Sequence, residues 1–431
     1  MRVKRCYIAI VALVLLASGA VGTAWSYDDE THRALNEGAV NRSSLNDHLV
    51  QVLGLLQGIN TVFEDNNGNS RRVREWIREG GVFEDIPLGR TANHFHYPLR
   101  EWDGARLTDA PGSLCAVESS ILWAQNPDQL PACFARAETW SWIRARQEFR
   151  EALRKVDPKD REEAFANTFR AIGQVTHLVA DGSVPAHARN DSHIGLLGLT
   201  GEPFEVWVEG EAATRLGERP EDARVRFLAE FVPISEHFSP SILGTQPNPL
   251  APIPIAKVFD VDVYDGTAAT LGATGGLAVG ITEVANANFF SYSTVFADRF
   301  AVTNPRSSPF PASTAVEQFV DPNNNRRYWR KTSPGVEVNH LATVTRLDFF
   351  RRLLTGAPPN PLHGGFDPVV HDEYARRLLP RAVGYSASLL DYFFRGTLNF
   401  TVSAGAGGQS VLRITNTSSE TMQGKFTLHA D

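Results

Sequence analysis

Residues 173–205 read GQVTHLVADGSVPAHARNDSHIGLLGLTGEPFE. The stretch sets His177, Asp181 and His187 in an H-x3-D-x5-H array, with Glu205 beyond it. The amphipathic run from Glu162 to Ala180 predicts a helix leading in. Residues four apart lie on one helix face, so His177 and Asp181 are placed to grip the same ion. Gly182 and Pro185 end the helix and turn His187 back toward that face. Imidazole nitrogen and carboxylate oxygen are a donor pair that suits zinc. One His/Asp pair is also what an ordinary capped helix carries. The third and fourth residues favour a metal.

Outward from this helix, 3.6-residue periodicity dominates and predicts a mainly α fold. Helices are expected over Asp29–Gly58, Ser70–Gly80, Ser113–Ala124, Ala137–Val156, Arg161–Ala180 and Phe204–Leu216. Later ones are expected over Gly266–Phe300, Leu341–Thr355 and Asp372–Arg395. Pro233–Pro254 and Thr303–Gly335 are Pro-rich and read as irregular. Asp321-Pro-Asn-Asn-Asn lacks the glycine and terminal glutamate of a calcium loop, so it reads as a turn, and Asp65-Asn-Asn-Gly-Asn-Ser reads the same way. After Gly396 the pattern changes to alternation in TLNFTVSAG, SVLRITNTS and GKFTLHAD, which predicts two or three antiparallel strands. So short a segment cannot form an independent sandwich, which takes about 100 residues. It either leans on the helical body or begins a larger β module.

At the start, three basic residues within Met1–Arg5 precede an apolar run from Tyr7 to Val21 and the small residues Gly22-Thr23-Ala24. This is the pattern of a secretory signal peptide cut after Ala24, which leaves Trp25 first and sends the chain to the periplasm or outside the cell. Of 42 basic residues, Arg2, Lys4 and Arg5 leave with it, so 39 face 49 acidic ones for a net charge of −10. That balance argues against binding duplex nucleic acid, which needs a basic face. A phosphate substrate stays open, because bound zinc brings its own positive charge. Cys115 and Cys133 read as a disulfide in an oxidising compartment, with two unpaired buried thiols as the alternative.

Other ligand types precede the array. His32 lies in WSYDDETHRALNEGAV, two helical turns after Trp25, and GGVFEDIPLGRTANHFHYP carries Asp85 in an acidic turn and His94 at the head of an aromatic cluster. Singly, each reads as structural. Together with the H-x3-D-x5-H array, their order and spacing resemble the zinc-dependent phospholipases C and the related zinc nucleases that cut single-stranded nucleic acid. The resemblance spans Trp25 to Val208, with helical similarity continuing toward Phe300. It implies a multi-helix bundle holding up to three zinc ions at the bottom of a cleft. It also implies residues 1–24 as signal peptide and 25–300 as the catalytic domain. Residues 301–396 would complete the helical body, and 397–431 form the short β segment.

Carried over by residue, the resemblance implies that the Trp25 amine and carbonyl bind zinc beside His32. Asp85 and His94 are implied as ligands, as are His177 and Asp181, with Asp181 bridging two ions. His187 and Glu205 would hold a third. The chain departs from the family at Gly201, where a histidine four residues before the glutamate is usual; His193 is the substitute within reach. Two to three zinc ions are therefore expected. The implied chemistry is in-line attack on phosphorus by a zinc-bridging hydroxide, with Asp85 both ligand and proton acceptor. The first reading is a secreted phospholipase C that releases diacylglycerol and a phosphorylated headgroup, with peripheral contact to a membrane surface. The second is a single-strand nuclease or 3'-nucleotidase, with Phe95, Tyr97 or Trp207 for bases to stack on. The third is a zinc-stabilised binding protein without catalysis, for which Gly201 speaks.

Overall fold

The computed structural model describes residues 29–108, 117–129, 138–192, 202–216, 255–291, 294, 316–344, 364–396 and 398–417. It is about 52% helical with small sheets, as the periodicity predicts. In chain order the helices are α1 (Asp29–Arg42), α2 (Leu45–Gln51), α3 (Val73–Phe83), α4 (Ser120–Gln125), α5 (Trp142–Ala152), α6 (Pro158–Asp181), α7 (Pro185–Ala188), α8 (Pro203–Leu216), α9 (Ala256–Phe259), α10 (Ala268–Leu271), α11 (Ile281–Asn288) and α12 (Pro368–Phe393). The strands are β1 (Val62–Glu64), β2 (Ser70–Arg72), β3 (Val316–Val320), β4 (Arg327–Lys331), β5 (Val338–Val344), β6 (Gly364–Gly365), β7 (Leu398–Ala404) and β8 (Ser410–Asn416). They form a β1-β2 hairpin, a four-stranded sheet in the order β3-β4-β5-β6, and a β7-β8 hairpin.

Helix α6 organises the rest. Asp157 caps it by accepting the amides of Lys159 at 2.9 Å and Asp160 at 3.2 Å. Pro158 occupies the first turn, where a missing N–H costs no helical hydrogen bond. From Ala171 to Asp181 every residue is buried. Phe165, Phe169 and Ile172 belong to one apolar cluster and Val175, Leu178 and Val179 to another, so α6 joins the two cores. The larger core also draws Ala34, Phe259, Leu341 and Tyr385 together. Residues before 300 and after 301 therefore share it.

Glycine sets the α3–α6 crossing. A Cβ on Gly173 would stand 2.2 Å from the Ile77 carbonyl oxygen and 2.9 Å from the Gly80 Cα. A Cβ on Gly80 would stand 2.4 Å from the Arg170 carbonyl oxygen. Asn36 of α1 closes the node: its Nδ2 donates to the carbonyls of Ile77 and Gly173, 3.0 Å each. Of the polar cluster described below, α1 carries His32, α6 carries His177 and Asp181, and Asp85 follows α3.

Several sequence expectations need correcting. The single helix expected over Asp29–Gly58 is two, broken at Ser43-Ser44. There the Ser43 hydroxyl donates to the Val40 carbonyl, and the Ser44 amide and hydroxyl both reach Asp391 Oδ1 at 2.6 Å. Serine groups compete with the helical ladder in this way. Ser70–Arg72 is a strand paired with β1, and the helix begins only at Val73. Gly266–Phe300 is interrupted: α10 runs into a 3-10 turn at Gly272–Gly275, and α11 starts after Gly280.

Leu341–Val344 is strand, not helix, and pairs with β4 and β6. A short apolar run fits either period, and cross-strand partners decide it. The irregular reading of Thr303–Gly335 fails for β3 and β4, whose pairing places Gln318 opposite Trp329 and Phe319 opposite Tyr328. Both Asp-Asn segments are turns as expected. Asp321 Oδ1 accepts the Asn323 amide at 2.9 Å, and Asp65 Oδ1 accepts those of Asn67 at 2.9 Å and Asn69 at 2.8 Å. The tail pairs Leu398 with Asn416 through Ala404 with Ser410. The GKFTLHAD strand, Cys115, Cys133 and the signal segment lie outside the described residues. No helix among the described residues is long and apolar enough to cross a membrane.

Candidate metal centre

Seven of the ligand residues expected from the sequence converge around the end of α6. His32 comes from α1, Asp85 from the loop after α3, and His94 from the end of a 3-10 turn at Leu88–Asn93. His177 and Asp181 lie one turn apart on α6, His187 on α7 and Glu205 on α8. Trp25, His193 and Gly201 lie outside the described residues.

Asp181 is the hub. Its Oδ2 stands 2.8 Å from His94 Nδ1, 3.1 Å from His177 Nε2 and 3.7 Å from His187 Nδ1, and its Oδ1 stands 3.3 Å from His32 Nε2. The Asp181, His32, His94, His177 and His187 side chains are all fully buried. Yet neither Asp181 oxygen accepts a hydrogen bond in good geometry. Buried carboxylates are seldom left unsatisfied unless they serve to bind an ion or another polar group. Two overlapping sets, His32–Asp85–His177 and His94–His177–Asp181, each bring three donor atoms within 4.8 Å of one another. These buried His/Asp groups are able to hold a metal ion, and the orphaned Asp181 oxygens fit that occupant.

The outer contacts aim the rings. His177 Nδ1 lies 2.5 Å from the Gly81 carbonyl, so Nδ1 carries a proton, and the neutral ring turns its Nε2 lone pair inward. His187 Nδ1 lies 3.3 Å from the His94 carbonyl, while Nε2 faces Glu205 Oε1 at 3.5 Å. The His187 ring lies flat on Phe95, with centroids 4.4 Å apart, and His32 stacks on His177 at 3.6 Å. The turn between α6 and α7 follows the sequence reading. Asp181 ends α6, the Val184 amide donates to the Asp181 carbonyl at 2.9 Å, and Pro185 opens α7.

Electrostatics divide the cluster. Burial alone would raise the Asp181 carboxyl, but His177, His187 and His32 outweigh it and hold Asp181 well below the carboxylate range. Burial would lower His94, but the Asp181 and Glu84 carboxylates beside its two nitrogens lift it to about 10. Burial, reinforced by His177, drops His32 to about 3. Burial also lifts Asp85 to about 6, against the opposing pull of His177 and His94. Asp85 Oδ1 lies 3.7 Å from both His94 Nδ1 and His177 Nε2, and at 19% exposure its side chain is the most open of the seven.

Sequence reasoning passed over the layer behind these residues. Glu84 is fully buried. It accepts Arg90 Nη2 at 2.7 Å and Trp123 Nε1 at 2.7 Å, and its Oε1 stands 3.8 Å from His94 Nε2. Burial would raise this carboxyl, and the Arg90 charge overrides that and holds it below its usual range. Arg90 also donates to Gln129, Gln174 and the Glu138 carbonyl. The one sequence signal for this pair was the acidic turn Glu84-Asp85. His96, two residues past His94, points elsewhere and pairs with Asp260 at 2.9 Å. Of the aromatic residues named above for bases to stack on, Phe95 and Tyr97 are buried and Trp207 packs on His371. Compared with protein-family models, curated proteins and solved structures, the chain has no match in any of the three.

Proposed function

We propose that this chain is an exported zinc-dependent phosphodiester hydrolase, most closely a phospholipase C that splits a phospholipid into diacylglycerol and a phosphorylated headgroup. The observation that supports this reading is the convergence of His32, His94, His177 and His187 on the buried, unsatisfied Asp181, with Asp85 against His94 and His177 and Glu205 against His187. His32, Asp85, His94, His177 and Asp181 would hold two ions. His187 and Glu205 would contribute to a third. Bound zinc supplies Lewis acidity, lowering the pKa of water from about 15.7 to about 7 and offsetting phosphate charge.

The chain's own residues do the rest. Asp181 keeps its charge and screens the imidazoles from one another. The Gly81 carbonyl fixes the His177 tautomer. Asp85, the most open carboxylate of the set, is placed to accept the proton of an attacking water. A lipid substrate is favoured by apolar side chains beside two ligands: Ile86 after Asp85 is 60% exposed, and Val206 after Glu205 is 49% exposed.

The test uses protein exported with Trp25 at its terminus and loaded with zinc. It is assayed on phosphatidylcholine vesicles and on single-stranded DNA, with and without chelator. Chelator-sensitive phosphocholine release with DNA intact is the expected outcome. DNA cleavage with lipid untouched would transfer the site to the nuclease branch, and zinc uptake without either activity would leave a binding protein.

Zinc uptake should also expel protons. A metal-bound imidazole must be neutral at its ligating nitrogen, and His94, held near 10, carries an extra proton at pH 7 in the metal-free protein. Affinity should therefore rise with pH up to about 10. Titration calorimetry in buffers of different ionisation enthalpy should report release of about one proton or more at pH 7. A binding heat independent of buffer would contradict the assignment of His94.

A further inference from the structure

We infer that Glu84 is a positioning residue for His94, selecting the tautomer that turns the Nδ1 lone pair toward the proposed metal centre. The inference rests on the metal reading above and adds to it a residue that touches no ion. His94 lies between two carboxylates: Nδ1 is 2.8 Å from Asp181 Oδ2, and Nε2 is 3.8 Å from Glu84 Oε1. Nε2 is buried and makes no hydrogen bond. A carboxylate beside Nε2 favours a proton there, because the N–H dipole then points at negative charge. The opposite tautomer would set a lone pair against Glu84 and a proton against the ion. This preference acts through charge and needs no hydrogen bond at 3.8 Å.

Glu84 is held so that it can do this. Arg90 Nη2 fixes Oε2 and Trp123 Nε1 fixes Oε1, both at 2.7 Å, while Arg90 Nε donates to the Glu84 backbone carbonyl at 3.2 Å. Arg90 is anchored in turn by Gln129 and Gln174, and it stacks over Trp123 at 4.9 Å. Gln174 lies on α6, one turn before His177, so the anchor and the ligands share a helix. A buried ion pair adds little net stability compared with an apolar replacement, so stability alone is a weak reason for it. Its placement against the outer nitrogen of His94 supplies another.

The full zinc-loaded chain is labelled with 15N-histidine, and long-range proton–nitrogen spectra identify the His94 tautomer. The expected result is a protonated Nε2 with a metal-bound Nδ1; ligation through Nε2 would overturn the inference without any variant. Zinc affinity is then measured by chelator competition for wild type, Glu84→Gln and Glu84→Asp. In Glu84→Gln, either amide orientation sets an NH2 group against Arg90 Nη2 or against Trp123 Nε1 and His94 Nε2, and the charge is gone. Affinity should fall by about 10- to 100-fold, with Glu84→Asp recovering part of the loss. Wild-type affinity in Glu84→Gln would sink the role of Glu84 alone. A wild-type chain that takes up no zinc would remove the metal reading and this inference with it.

Discussion

Replacing Asp181 with asparagine should abolish tight zinc binding and, with it, hydrolysis. Asparagine keeps the shape of aspartate and removes the charge on which the cluster turns. Three imidazole nitrogens stand within 3.3 Å of that carboxylate, and a fourth lies at 3.7 Å. Loss of a ligand should cost more than loss of an outer-sphere partner, which is worth about 10- to 100-fold in affinity. A fall of at least about 100-fold is expected, read by chelator competition.

The metal-free protein reports the same residue through stability. Asp181 is depressed on folding, so its contribution is present above 3.8 and is lost as pH falls through its lower folded value. His94 is raised, so its contribution is fully present below 6.5 and is lost as pH rises through about 10. Asp181→Asn removes the first and weakens the second, because Glu84 and Asp85 still face His94. Its deficit in urea unfolding should be about 3–5 kcal/mol between about pH 4 and 6.5, the cost of breaking a buried pair, and should shrink at pH 10. A deficit that is flat with pH would mean that Asp181 acts only by packing.

How much of this was legible depends on the range of the interaction. His177 and Asp181 were readable because helical periodicity alone puts residues four apart on one face, and Gly182 and Pro185 supply a local reason for His187 to turn back. His32, Asp85, His94 and Glu205 carry no such local signal. They became ligands in the reading only through their order along the chain. The outer layer was legible only as the acidic turn Glu84-Asp85. Asn36 joins α1 to a carbonyl 137 residues away, and Arg90 reaches Gln174 across 84. No local pattern encodes such contacts.

The same holds for β5. Its residues suit a helix until β4 and β6 offer strand partners. Ser44 likewise ended α1 because Asp391, distant in sequence, accepts its amide and hydroxyl. Local pattern thus identified most helices but misjudged their ends. Those ends decide which carbonyls and side chains face the site.

That dependence of the site on helix packing makes Gly173→Ala the most informative substitution away from the ligands. In most buried helices alanine is the better residue, by about 1 kcal/mol over glycine. Here the added Cβ would lie 2.2 Å from the Ile77 carbonyl oxygen and 2.9 Å from the Gly80 Cα, and backbone cannot swing aside as a side chain can. Helices α3 and α6 must separate. Overpacking of this kind costs about 1–3 kcal/mol or more, enough to reverse the helical preference. Separation also stretches the Asn36 hydrogen bonds at 3.0 Å and draws the Gly81 carbonyl from His177 Nδ1. Zinc affinity should fall with stability, by about 10-fold or more, although no ligand has changed. Gly104→Ala is the control, since its Cβ would meet only the Glu101 carbonyl at an ordinary 3.5 Å. Urea midpoints and chelator competition on both variants should separate the two cases. If Gly173→Ala matches wild type in both measurements, the crossing is looser than its geometry requires, and the outer contact to His177 is not what aims that ring.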